Sequence, residues 1–178
     1  MFFIPGEFIS VVTFPGVIVH EAAHLLFCRL SGVAVYDVCF FRFGNPAGYV
    51  IHEPIKRFRS ALLICLGPLL VNSLLCMLIC FPAFIPFRLY DRSEPLALLL
   101  LWLGISIGMH AFPSTGDAQS LWHGSKAALK QGNVLAALAF PLVGLIYLAN
   151  ILSVVWFDAA YAAGIGLGLP ELLLQPYL

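Results

Sequence analysis

The chain has 178 residues, 61% of them hydrophobic and only 10% charged, where a soluble domain carries about 25% charged residues. Nine basic and nine acidic side chains cancel to zero formal charge, and with no basic tail a nucleic-acid partner is not expected. Such a composition belongs to a protein that uses the lipid bilayer as part of its solvent, and the length allows one domain, residues 1–178.

The N-terminal stretch lacks a positively charged n-region and a small-residue cleavage site, so the first apolar segment is expected to be retained. That segment, about Phe8 to Leu30, is long enough to cross about 30 Å of hydrocarbon. It nevertheless contains His20-Glu21-Ala22-Ala23-His24, an HExxH motif. An ionisable group in a span costs about 2.5–3.5 kcal/mol and is functional by default. At positions i and i+4 of a helix both imidazoles share one face and can reach one metal ion. Glu21 lies about 100° around the helix, placed to act on a water at the metal rather than as a ligand.

Val33 to Pro54 is rich in β-formers on both sides of Gly44-Asn45-Pro46-Ala47-Gly48 and reads as a β-hairpin at the membrane surface. Lys56-Arg57-Phe58-Arg59 marks the interface before a second span, Ala61 to Phe84, which holds Gly67-Pro68-Leu69-Leu70-Val71-Asn72. Of the cysteines, Cys28 and Cys39 precede this span, while Cys65, Cys76 and Cys80 lie within it. No CxxC pair occurs, and those in the span behave as small hydrophobes. A third span runs from about Leu96 to Phe112 and is closed by Pro113. Ala118 to Lys130 reads as a helix end emerging into the headgroup region, and Val134 to Phe157 as a fourth span. The tail 159–174 is interrupted by Gly164, Gly166, Gly168 and Pro170 and is not assigned as a fifth; it reads as a helix extension or an interfacial piece.

The expected fold is an all-α membrane protein of about four transmembrane helices, with a short β-hairpin between the first and second. In that arrangement Arg29, Arg42, Lys56, Arg57, Arg59, Lys126 and Lys130 fall on one side, and Arg88 and Arg92 on the other. The bias puts the hairpin in the cytoplasm and both termini outside.

A catalytic zinc needs three protein ligands and one open position. The third ligand could come from His52, His110, Asp117 or His123, and Asp117 is preferred. It follows the third span, where Pro113 and Gly116 can break the helix and turn a carboxylate inward. A buried carboxylate needs a partner, and a divalent cation is the strongest. His110 remains the alternative.

On these residues the chain resembles the site-2 protease family of intramembrane zinc metalloproteases. The family pairs HExxH with a Gly-Pro-x-x-Asn-like element on the next core helix and an aspartate ligand further on; here these are residues 20–24, 67–72 and Asp117. His110 stands where the family has asparagine, Gly116-Asp117-Ala118 replaces Leu-Asp-Gly, and Asn72 comes one residue late. The likeness covers about residues 8–130, leaving 131–178 as an additional C-terminal helix and tail, and the segment Val33 to Pro54 is too short for a PDZ domain.

The resemblance implies a zinc-dependent intramembrane endopeptidase acting on membrane-spanning protein substrates. One Zn2+ per chain would be held by His20, His24 and Asp117, with Glu21 as catalytic base and His110 or Asn72 at the oxyanion or substrate backbone. The substrate helix must unwind before hydrolysis, and the hairpin could receive it as an added strand. A metal-binding membrane scaffold without peptidase activity, or a metal or proton transporter, would use the same residue types. Asp158 and the 83–95 loop are expected to stand apart from this chemistry.

Overall fold

Thr13 breaks the first apolar segment in two. The computed structural model describes residues 6–55, 57–89 and 94–175; Lys56, Arg92 and the Arg88 side chain, used above for orientation, lie outside them. Helices α1 (Gly6–Val12) and α2 (Phe14–Leu30) meet at an angle of 88°. The expected straight span from Phe8 is therefore a bent one. The cause is Pro15, which has no N–H to donate and whose ring would clash with the carbonyl four residues back. At the start of α2 the same residue is well placed. The Thr13 hydroxyl donates to the Ile9 carbonyl at 2.7 Å and closes the end of α1.

The expected hairpin is present. Strands β1 (Val35–Cys39) and β2 (Tyr49–His52) pair antiparallel, with Val38 opposite Val50 and Cys39 opposite Tyr49. Tyr49 donates its hydroxyl to Asp37 at 2.9 Å, which raises the phenol above its ordinary pKa. Arg42 folds the connection back by donating from its backbone N–H to the Ala47 carbonyl at 2.7 Å and from Nε to Pro46 at 2.9 Å.

Helix α3 (Phe58–Leu89) has 32 residues, about 48 Å at 1.5 Å per residue, and serves as the mast on which the other helices pack. α2 runs antiparallel to its first half, with the Phe27 ring filling the space beside Gly67. α4 (Pro95–Met109) lies along its second half, with Gly104 against Cys80 and Gly108 against Cys76. Small residues at such crossings let the backbones approach closely.

Thr115–Lys130 is a separate 16-residue helix, α5, rather than a helix end emerging into headgroups. Leu121 and Ala118 on α5 are fully buried against Ala61 and Cys65 of α3 and against Ala139, Val143 and Ile146 of α6 (Ala139–Leu152). Trp156, with a left-handed φ of 65°, ends the helical run through Val155. Beyond it, α7 (Phe157–Ala163), a π turn at Gly164–Gly168 and α8 (Leu169–Leu174) form one helical stretch back along α3 and α4. Ala162 there touches Gly108.

The described residues are thus mostly helical, with one two-stranded sheet among them. Among the described residues three stretches are long and apolar enough to cross a membrane, namely Phe58–Pro86, Val134–Val155 and Phe157–Leu174, or four if the bent pair at 6–30 is counted as one broken span rather than a re-entrant loop. The C-terminal tail is therefore among the candidates. The expected third span, α4, has only 15 residues and is shorter than a full crossing. Leu70, Leu74, Leu78, Leu98 and Leu145 are exposed, as in helices surrounded by hydrocarbon rather than water.

Candidate metal centre

His20 and His24 project from one face of α2 into the angle between α3 and α4. The spacing of four residues stacks them one turn apart, with ring centroids separated by 4.8 Å. His20 Nδ1 lies 2.7 Å from the carbonyl oxygen of His110, and His24 Nδ1 lies 3.0 Å from that of Ile64. A carbonyl oxygen only accepts, so each Nδ1 carries the proton and each neutral ring presents a bare lone pair at Nε2. Those two Nε2 atoms face each other at 3.1 Å.

Asp117 completes the arrangement. Ser114 is the N-cap of α5, and Asp117 is its third helical residue, so the two form a capping box. Asp117 Oδ2 accepts from the Ser114 backbone N–H at 2.8 Å and from its hydroxyl at 2.6 Å, while the Asp117 N–H donates back to Ser114 Oγ at 3.2 Å. The other oxygen, Oδ1, is left 3.3 Å from His24 Nε2.

One atom each from His20, His24 and Asp117 thus lies within 4.8 Å of the others, and with both rings neutral all three are acceptors. Such a set is stable around a positive charge. Ligands at 2.0–2.1 Å in tetrahedral array stand about 3.3 Å apart, close to the 3.1 and 3.3 Å of two of the three pairs here; the third pair, within 4.8 Å, must draw together around an ion. Imidazoles that donate their other N–H to a fixed carbonyl are also the usual second layer of a metal site. The donor set fits a divalent cation.

The group opens into a cavity of about 630 Å³. Glu21 lines it and is 9% exposed. The hairpin connection forms the opposite wall, and its Gly48 packs on the Glu21 side chain. His52 also lines the cavity, with Nδ1 turned to the Glu53 carbonyl at 2.8 Å. His123 is exposed on α5, away from the group.

His110 and Asn72 are both engaged within the fold. His110 caps the end of α4 and lines the cavity, but it is not in the three-residue cluster. The Thr13 hydroxyl already donates to Ile9, so its oxygen accepts the His110 Nε2–H at 2.8 Å. A neutral His110 ring then has no second N–H to offer. Asn72 is fully buried, and its Nδ2 reaches the carbonyls of His110, Ile107 and Gly16 at 3.0, 3.1 and 3.4 Å. It ties α2, α3 and α4 together and touches the cluster through the same His110 carbonyl that orients His20.

Asp158, expected to stand apart, lines the same cavity, together with Asn150 and Ser153. These three come from the last quarter of the chain. The chain matches no protein-family model, no curated protein and no solved structure.

Proposed function

We propose that the chain is a zinc-dependent intramembrane endopeptidase, a divergent and compact relative of the site-2 proteases, hydrolysing peptide bonds of membrane-spanning substrates. The observation that supports this most is the convergence of two Nε2 atoms and one carboxylate oxygen within 4.8 Å, each held by a hydrogen bond on its far side. Two nitrogens and one oxygen beside an open cavity suit a catalytic zinc, which needs three protein ligands and a free position. A bound zinc would polarise the scissile carbonyl and bring the pKa of a water ligand toward about 7.

Glu21 follows His20 directly and faces the same cavity, where it takes a proton from the attacking water and passes it to the leaving amine. Ser114 keeps Asp117 ionised and aimed, and the carbonyls of Ile64 and His110 keep both rings in the tautomer that binds metal. Asn72 and His110 act as positioning residues. The described basic residues Arg29, Arg42, Arg57, Arg59, Lys126 and Lys130 lie at the end of α2, in the hairpin, before and in the first turn of α3, and toward the end of α5. By the positive-inside rule that end is cytoplasmic.

Metal analysis of the purified protein, paired with cleavage of a membrane-spanning reporter in liposomes, tests the reading. Glu21→Gln keeps zinc and loses cleavage, whereas His24→Ala and Asp117→Ala lose zinc. Full biological activity in the Glu21→Gln protein would leave a metal-binding scaffold instead. Vesicles that accumulate zinc would favour a transporter.

A further inference from the structure

Asp158 is the cavity carboxylate that the proposed reaction does not use. It stands half-buried in the first turn of α7, at the start of the apolar stretch Phe157–Leu174. It does not cap its helix. Among the described residues it has no hydrogen bond or ion pair. An ionised group at such a place needs a partner and marks a function.

Two other residues that line this cavity, Asn150 and Ser153, offer acceptors too. Asn150 directs its Nδ2 to the carbonyls of Pro113 at 3.0 Å and Ile146 at 2.8 Å, which leaves Oδ1 as its remaining polar atom. Ser153 donates its hydroxyl to the Asn150 carbonyl at 2.7 Å and keeps only oxygen lone pairs. All three residues line the cavity, and no lysine or arginine among the described residues does. An ammonium offers three N–H donors and a guanidinium five, with no acceptor in either. The wall is complementary to that chemistry and repels carboxylates.

We infer that Asp158, with Asn150 and Ser153, forms a subsite for a cationic nitrogen of the substrate, a lysine or arginine side chain or a free N-terminal amine. The inference rests on the peptidase reading, because it takes the occupant to be a peptide. It gives the enzyme a preference: a substrate whose unwound segment carries a positive charge gains a partner in a region where that charge is otherwise costly.

The test uses apolar 20-residue peptides in detergent with the full-length protein. One is N-acetylated and carries a single central lysine; the others replace the lysine with norleucine or glutamate, and one norleucine peptide keeps a free amine. Binding is read by fluorescence anisotropy on the Glu21→Gln protein, and cleavage by mass spectrometry on the unaltered protein. The expected result is about ten-fold tighter binding of a cationic peptide than of acetylated norleucine, the size of one hydrogen bond to a charged group. Whichever cationic peptide shows the gain identifies the nitrogen as side-chain or terminal.

Asp158→Asn, which keeps shape, abolishes the difference, and Asp158→Lys transfers the preference to the glutamate peptide. Equal binding of all peptides, or a preference that survives Asp158→Asn, overturns the inference. If the unaltered protein still cleaves the acetylated norleucine peptide in that case, the peptidase reading stands alone. Peptides neither bound nor cleaved overturn both.

Discussion

Gly48 in the hairpin connection rests directly on Glu21: a β-carbon there would lie 2.7 Å from Glu21 Cγ and 3.1 Å from its Oε1. The contact joins the β-hairpin to the proposed base. Gly48→Ala must displace either the carboxylate or the connection, because the Cys39 carbonyl stands 3.1 Å away on the other side. The expected outcome is a loss of cleavage of about a hundred-fold, the effect of a displacement of about 1 Å at a reacting group, with zinc content unchanged. Reporter cleavage and metal analysis on one preparation check both halves.

Ser114 acts on the centre without belonging to it. Ser114→Ala removes an N-cap, worth about 1 kcal/mol, and one of the two hydrogen bonds on Asp117 Oδ2. Zinc affinity should fall about 10- to 100-fold, as measured by competition with a chelator, while Ser114→Thr retains most of it. Equal affinity in the alanine protein would show that the backbone N–H alone holds Asp117.

Asn72 predicts a different pattern. Asn72→Leu leaves the carbonyls of His110, Ile107 and Gly16 without their shared donor and should cost about 1–3 kcal/mol of stability. Asn72→Asp is worse, because it points negative oxygen at those same carbonyls. In both, zinc loss accompanies the stability loss, since the His110 carbonyl also orients His20. Thermal unfolding with and without added zinc measures the two effects together.

The proposed orientation is checked by labelling. Thr115, exposed in the first turn of α5, should react as Thr115→Cys with a membrane-impermeant thiol reagent supplied from the cytoplasmic face. Reaction from the outer face alone inverts the topology.

The centre was legible where its geometry is local. His20 and His24 share a helix face because four residues make about one turn. Asp117 was found through the helix break at Pro113, although the agent that turns it inward is Ser114, three residues before it in a capping pattern visible in the chain. The carbonyls that orient the rings were invisible, because Ile64 and His110 contribute them from the backbone and any residue has one. The bend at Thr13 had a signal in Pro15 that the surrounding apolar run masked.

The tail is the segment that the sequence leaves open. Gly164, Gly166, Gly168 and Pro170 read as breakers, yet Gly166 is where a side chain would strike Ile105 and Cys80. Pro170 sits at the start of α8, where a missing N–H is tolerated. Asp158 had no signal at all, for its place on the cavity wall depends on how two distant helices return.

Because α6 and α7 supply one side of the cavity, part of its enclosure comes from a stretch of chain that holds none of the three clustered residues. A protein cut after α5 keeps every donor atom and loses the polar partition formed by Asn150, Ser153 and Asp158. Acyl tails would then take over that boundary, and water, the second reactant of any hydrolysis, would be shut out along it.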